Sequence, residues 1–371
     1  MNILILADYR APNSGNFIAS LLELAHRMRR EAGDVVFLFP EHRDGGGYSW
    51  AAWLEREGFR VYLLNDKTAE QEKISVLQEI IRKHNIQIIH SHFGLYHKLL
   101  IQKGRSLGVK VIFHDHMDYV TNASLLQQRL HTLSTALVYR LCGIGVVSVM
   151  EKKHKDYWCC PKRWYVPNGL SLRRNVPVEL GRQERRMQLR IDRGDKLCLF
   201  LGWDMYRKGL DVAIKAIDTL RQTDPSWHLG LVGFGSTPSQ TCQDWIRNHT
   251  GIDPKSPWLH YFPSTEDMFS YHRAADVYLS TSRAEAFSYG LLEAISQDIP
   301  VVVSDIEGTS WAQAYNKCTV YPVEDSDACG EAIRKALAFS GDLSNSADIL
   351  DCYSIERWCE RVIAVYREMF A

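Results

Sequence analysis

The chain has no run approaching the roughly 20 apolar residues of a membrane span, which argues against a spanning helix. It has no pair of CxxC units, and its nine cysteines are odd in number and scattered. A zinc ribbon and a disulfide framework are therefore disfavoured, and reduced thiols in a cytoplasmic protein fit better. Neither GxGxxG nor GxxxxGK[ST] occurs, so the direct signatures of nicotinamide and P-loop binding are missing. The opening MNILILADYR lacks a basic n-region and turns polar too soon for a signal peptide. There is no low-complexity tract, no short internal repeat and no net charge.

What is present is an uneven charge distribution. Residues 1–190 carry 28 Lys and Arg against 18 Asp and Glu, a net of +10, and the remainder carries −10. A basic half faces an anionic membrane, faces an anionic substrate, or is simply solvated. The 371 residues are too many for one ordinary core, and two domains are expected.

Short apolar runs alternate with longer helical patterns. Strands are expected at Ile3–Leu6, Asp34–Phe39, Val61–Leu64, Ile86–His90, Lys110–Phe113 and Gly145–Val149, with helices over Phe17–Arg30 and Ile74–His84. The pattern restarts at Leu197–Gly202. It continues through a helix at Leu210–Arg221 and strands at His228–Val232, Trp258–Phe262, Val277–Ser280 and Pro300–Ser304. Such alternation predicts an α/β protein with parallel sheets covered on both faces. The boundaries read as 1–175, a charged surface linker over 176–195 with room for a short helix, a second unit over 196–352, and a C-terminal helical segment over 353–371.

Ligands of open parallel sheets bind beyond the carboxyl ends of the strands, so those loops carry the candidate chemistry. After Val277–Ser280 comes EAFSYGLLE, in which Glu285 and Glu293 flank a Gly-containing stretch. A helix beginning near Tyr289 leaves Glu285 in the loop and puts Glu293 about one turn in. The helix N-terminus suits phosphate, and the carboxylates suit hydroxyl donors. Arg207 and Lys208 precede another helix, where cations are locally unfavourable and a diphosphate would compensate them.

In the first half, HSHFG (His90–Gly94) and FHDHMD (Phe113–Asp118) both follow strands. An HxH on an extended segment turns both rings to one side. Metal ligation, a polar substrate pocket and structurally satisfied histidines all remain open for this group. Gly15 opens a helix after the first strand as a weak phosphate-cradle candidate. VPNGL (Val166–Leu170) reads as a structural crossover. The basic and aromatic KKHKDYWCCPKRWY (Lys152–Tyr165) and the basic end of Phe17–Arg30 are candidates for an anionic bilayer.

In order and spacing across nearly the whole chain, HSHFG, FHDH, VPNGL, RKG at Arg207–Gly209, LVGFG at Leu231–Gly235, the Glu285/Glu293 pair and VVVSD before Gly308 resemble the GT-B glycosyltransferases, specifically glycosyltransferase family 4. The resemblance implies two facing Rossmann-like domains with a deep interdomain cleft. The N-terminal domain would bind the acceptor and the C-terminal domain a nucleotide sugar, with the final helix packing back on the N-terminal domain. It implies retaining, metal-independent transfer of a hexose from a UDP- or GDP-linked donor to a glycan or lipid-linked acceptor, as in bacterial surface polysaccharide or glycoconjugate assembly. No cofactor, metal or nucleic acid is implied, and the location would be cytoplasmic or peripheral on the plasma membrane's inner face.

By the same resemblance, His114, Glu285 and Lys208 are the catalytic residues. Gly15, Arg207, Lys208, Ser288, Tyr289 and Gly290 would hold the donor phosphates. Glu285, Ala286 and Phe287 would meet the donor sugar, and Glu293 the ribose. His90, His92, His116 and Asp118 would line the acceptor side. The family often carries Gly-Arg after the first strand of its second domain. Here the pair is Gly202-Trp203, and Arg207 is the candidate replacement. A nucleotide-sugar epimerase and a non-catalytic partner protein of the same fold are the alternatives, while a dehydrogenase is disfavoured by the missing GxGxxG.

Overall fold

The computed structural model describes residues 1–42, 48–65, 67–117, 124–173, 180–339 and 344–371. The chain divides into two compact units, Met1–Asn175 with Tyr353–Ala371, and Val176–Cys352. Strands of the first unit are β1 (Asn2–Ala7), β2 (Asp34–Pro40), β3 (Arg60–Leu64), β4 (Ile88–His92), β5 (Lys110–Asp115), β6 (Gly145–Ser148) and β7 (Arg163–Tyr165). Its helices are α1 (Gly15–Arg30), α2 (Ser49–Arg56), α3 (Glu70–Lys83), α4 (His97–Lys103), α5 (Leu125–Cys142) and α6 (Glu151–Asp156). The second unit holds β8 (Lys196–Leu201), β9 (Trp227–Val232), β10 (Leu259–Phe262), β11 (Val277–Ser280), β12 (Val301–Ser304) and β13 (Cys318–Tyr321). With them are α7 (Arg182–Leu189), α8 (Leu210–Arg221), α9 (Gln240–Thr250), α10 (Met268–Ala274), α11 (Tyr289–Ser296), α12 (Ser326–Leu337) and α13 (Ser346–Cys352). Helix α14 (Ile355–Glu368) then belongs to the first unit.

Each unit is built on one parallel sheet, in the orders β3-β2-β1-β4-β5-β6-β7 and β10-β9-β8-β11-β12-β13. Strands such as ILIL in β1 and VVV in β12 are buried along their length. Continuous apolar runs of this kind form where helices cover both faces of a sheet. In each sheet the order reverses between its first and fourth strands, β1 and β4 or β8 and β11. Such a switch point opens a crevice beyond the carboxyl ends. The loops after β8 and β11 hold Arg207, Lys208 and Glu285 to Ser288, and the helices after β1 and β11 begin at Gly15 and Tyr289. Both units are Rossmann-like. No helix among the described residues is long and apolar enough to cross a membrane.

Three details differ from the sequence-based expectation. Strands β4 and β5 run on to His92 and Asp115, with His92 paired to His114 in register, so His90, His92 and His114 stand on the sheet and His116 lies one residue beyond β5. Residues 180–195 carry the short helix α7 at the surface and cluster with the second unit rather than standing apart as a linker. Helix α7 packs on α10, and buried Arg186 donates to the carbonyls of Ala274, Asp192 and Asp195, while Arg185 pairs with Asp267 at 2.6 Å. These arginines satisfy helix-end carbonyls and buried carboxylates, which a charge-rich composition alone cannot reveal. The third difference is α1, which buries Phe17, Ile18, Leu21, Leu22, Leu24, Ala25 and Met28. Its basic end is occupied, with Arg27 on Glu360 and Arg29 over the Phe59 ring. No apolar face of α1 is left for a bilayer. The Lys152–Tyr165 segment is used only in part, since Trp158 stays 65% exposed and Lys155 lies at the surface. Lys153 pairs with Asp115, Cys159 and Cys160 are buried, and the Trp164 indole donates to Glu368.

VPNGL seats the returning C-terminal segment. Leu170 bridges to Ser354 and its N–H donates to the Tyr353 carbonyl at 2.8 Å. In the second unit the turn before α8 touches the end of β11. Gly209 has φ +69, and a Cβ there would lie 2.0 Å from the Thr281 carbonyl oxygen. The Thr281 hydroxyl donates to the carbonyls of Lys208 and Gly209 at 2.8 and 2.9 Å. Gly209→Ala is expected to destabilise the protein by about 1–3 kcal/mol, because it adds both backbone strain and a clash. Denaturant unfolding measures this, and a midpoint equal to wild type would show that the turn relaxes freely.

Candidate active site

The second unit gathers its charged residues at the β8/β11 switch point. Thr281, Ser282 and Arg283 follow β11, and Glu285 stands in that loop. Its carboxylate accepts from Lys208 Nζ at 2.7 Å and lies 3.5 Å from an Arg207 guanidinium nitrogen. Arg207 also binds Asp204 at 3.1 Å and donates to the Ala284 carbonyl at 3.4 Å. Both cations are thus beside Glu285, although they are nearly 80 residues away in sequence. Trp203, at the position where the family often has arginine, is 78% exposed.

Helix α11 starts at Tyr289, and the Ser288 hydroxyl caps it by accepting the Leu291 N–H at 3.3 Å. That cap leaves Ser288 as a holder of the helix end, whose partial positive charge faces the Glu285 loop. The Phe287 ring stacks on Trp311 at 4.7 Å, so its side chain is used in packing. Gly290 is small for a packing reason, since a Cβ there would lie 2.7 Å from the Tyr278 hydroxyl. Gly308 allows the loop to sit close, since a Cβ there would overlap the Glu285 carbonyl oxygen.

Glu293 is buried on α11, with His272 Nε2 at 3.8 Å. Tyr278 was not singled out by sequence reasoning. Burial, followed by the nearby charges of Glu285 and Glu293, pushes its phenol well up, and a hydrogen bond with Ser288 opposes this. Its hydroxyl therefore stays protonated among both acids. The strand pattern of YLSTS was the available signal, but nothing in it marks the tyrosine as more than core.

The first unit offers neutral imidazoles. His90 Nδ1 meets the Tyr366 hydroxyl of α14 at 2.7 Å, and His90 Nε2 meets His114 Nδ1 at 3.2 Å. His92 Nδ1 meets His116 Nε2 at 2.9 Å. The His90 and His92 rings lie side by side at 4.2 Å, as period-two geometry requires. Burial is the largest cause in lowering all four. His90 falls to about 3 and His116 to about 4, while His92 and His114 fall well below the ordinary value. Buried His92 Nε2 and His114 Nε2 have no hydrogen-bond partner among the described residues. Asp118 lies outside the described residues.

His114 and His116 line a cavity of about 810 Å³ that continues under α5 along Gln127, Gln128, His131, Thr135 and Tyr139. Asp115 also lines it, held by Lys153 at 2.8 Å and the Tyr157 hydroxyl at 2.7 Å. Gly15 begins α1 nearby in the fold, with Tyr9 folded over the turn onto the Asn13 and Ser14 carbonyls. Phe17 and Phe93 complete an aromatic wall against His92 and His116.

Ring nitrogens of His90, His92 and His114 can be chosen within 4.8 Å of one another. Tetrahedral zinc needs its ligand nitrogens about 3.4 Å apart. In the described structure several of these ring nitrogens are engaged in hydrogen bonds, His90 with Tyr366 and His114, and His92 with His116.

The sequence model described as "Glycosyltransferase Family 4" matches residues 19–174, and that described as "Glycosyl transferases group 1" matches residues 181–347. The chain belongs to glycosyltransferase family 4. Relatives of this family 4 glycosyltransferase include the alpha-monoglucosyldiacylglycerol synthase of Streptococcus pneumoniae, 22% identical over 81% of the chain and 70% of the relative. Another is a component of the human phosphatidylinositol N-acetylglucosaminyltransferase, 21% identical over 83% of the chain and 62% of the relative. Among solved structures, a glycosyltransferase from Rickettsia africae superposes with a TM-score of 0.75 at 17% identity, covering 100% of this chain and 99% of that one. The Anabaena protein HepE, in complex with UDP and glucose, gives 0.74 at 13% identity over 99% and 100%. The fold is GT-B.

The lowered histidines set the direction of a pH effect. The folded cluster resists protonation down to about pH 4 or below, whereas unfolded histidine takes up protons near pH 6.5. Their contribution is therefore fully present above pH 6.5 and is lost as pH falls. Thermal unfolding from pH 7 to 4 is expected to show a falling melting temperature, with a shallower fall in His116→Gln. Parallel curves for the two proteins would contradict this assignment.

Proposed function

We propose that the enzyme transfers a hexose from a nucleoside-diphosphate sugar, UDP- or GDP-linked, to an acceptor hydroxyl with retention and without a metal. The observation that carries this reading is the Lys208–Arg207–Glu285 cluster beside the N-terminus of α11. The cations and helix end suit a diphosphate whose charge grows as it leaves. Glu285 accepts hydrogen bonds from donor-sugar hydroxyls, with Ala286 and Phe287 contributing backbone, and Glu293 accepts from the ribose. Ser288, Tyr289, Gly290 and Gly15 assist the phosphates. HepE binding UDP and glucose supports this donor class by likeness of fold.

In the step proposed, the bond between the sugar's anomeric carbon and the phosphate oxygen breaks. The acceptor oxygen bonds to that carbon on the same face, and its proton passes to the departing phosphate oxygen. His114, neutral by burial, orients the acceptor through its unpartnered Nε2. His90, His92 and His116 hold that ring and the acceptor side of the cavity. A glycan or lipid-linked acceptor fits a cavity that mixes aromatic and amide side chains. The diacylglycerol- and phosphatidylinositol-linked names of two relatives support the lipid-linked form. The role would then be in bacterial surface polysaccharide or glycoconjugate assembly, at the inner face of the plasma membrane.

Lys208→Ala and Glu285→Ala are each expected to lower kcat/KM by about 10²–10³, and His114→Gln by about 10². Turnover is expected to persist in EDTA. Release of nucleoside diphosphate together with glycosylated product measures all of these. Unchanged turnover in both the Lys208 and Glu285 variants would remove the site assignment. Product without a joined acceptor would point to an epimerase instead.

A further inference from the structure

Helix α5 is apolar on two opposite faces. It is a well-bounded helix. Ser124 and Gln127 form a capping box at its start, and Gly143 ends it with φ +68. Its inner face buries Thr132, Ala136 and Tyr139 and roofs the 810 Å³ cavity that holds His114. Its outer face carries Leu126, Leu130, Leu137 and Leu141, which are 67, 56, 45 and 71% exposed. At about 100° per residue these four leucines fall within an arc of roughly 60°. Such a stripe on a surface helix marks a contact surface, since an ordinary surface helix is apolar on its core side alone.

The charge pattern indicates the kind of partner. Arg129 and Arg140 run along one side of the stripe, and α5 contains no Asp or Glu. A second copy packed antiparallel on the stripe would set the two arginine rows side by side, and in neither direction would the helix offer a carboxylate. An anionic lipid surface satisfies both features, because leucines enter the headgroup boundary while arginines meet phosphates.

We infer that the outer face of α5 is a docking surface for an anionic bilayer, placing the cavity beneath it where a lipid-linked acceptor arrives. This rests on the acceptor reading above. It adds to the expected contact at Lys152–Tyr165, where Trp158 is 65% exposed, a helix with an uncovered leucine stripe, whereas α1 buries its apolar face.

The test is flotation of the full chain with phosphatidylcholine vesicles, with and without phosphatidylglycerol. The wild type is expected to float with the phosphatidylglycerol vesicles. The pair Leu130→Asp and Leu137→Asp should weaken binding about tenfold or more. The pair Arg129→Gln and Arg140→Gln should remove much of its salt sensitivity. Exposed positions should leave the melting temperature unchanged. Flotation absent in wild type, or equal in the leucine variant, would overturn the inference. So would a dimer in light scattering that the leucine variant splits while vesicle binding stays the same. Thermal shift with UDP- and GDP-sugars separates the two readings. A donor shift with flotation independent of α5 rejects this inference alone. Flotation that depends on α5 with no donor shift rejects the transfer reading alone.

Discussion

The contact between Lys208 and Glu285 is the constraint around which the second unit's site is built. A carboxylate with a side chain only 12% exposed needs a cation, and Lys208 meets it at 2.7 Å from the neighbouring strand's loop. That meeting depends on backbone. Gly209 lets the β8–α8 turn rest on Thr281, and Gly308 lets a second loop lie against the Glu285 carbonyl. Under the proposed function, a diphosphate approaching Lys208 would compete with Glu285 for the cation and free the carboxylate for sugar hydroxyls, so that one ligand would satisfy both halves of the pair.

The first unit solves a different problem. Four imidazoles on adjacent strand ends cannot all be charged at such spacing, and burial keeps them neutral. Neutral rings donate and accept along a chain that ends on Tyr366 of α14. The returning C-terminal helix is thus more than a closing strap, because it fixes the ring of His90 and through it His114. The charged cluster of the second unit suits an anion, and the neutral wall of the first unit suits hydroxyls.

Much of the architecture was legible because it depends on local patterns. ILIL and VVV read as buried parallel strands, and Leu210–Arg221 and Tyr289–Ser296 follow from helical periodicity and from Ser288 as a cap. Helix α5 was missed for a physical reason. Leucines on its outer face and buried residues on its inner face erase the one-sided period by which an amphipathic helix is recognised. Strand β7 is only three residues long, too short for alternation to register. Arginine-rich α7 read as linker because its partners, the carbonyls near Ala274 and Asp192, are far away or carry no sequence signal.

The sequence by itself determined the element types, the family resemblance and the residues of both candidate clusters, because these depend on residue chemistry and short-range spacing. Tertiary structure alone decided the roles those residues are free to take. It spent Phe287 on Trp311 and Lys153 on Asp115 and brought Arg207 to Glu285. It also left the leucines of α5 uncovered. Those outcomes depend on which distant backbone and side chains compete for the same partner, and that competition exists only once the chain is folded.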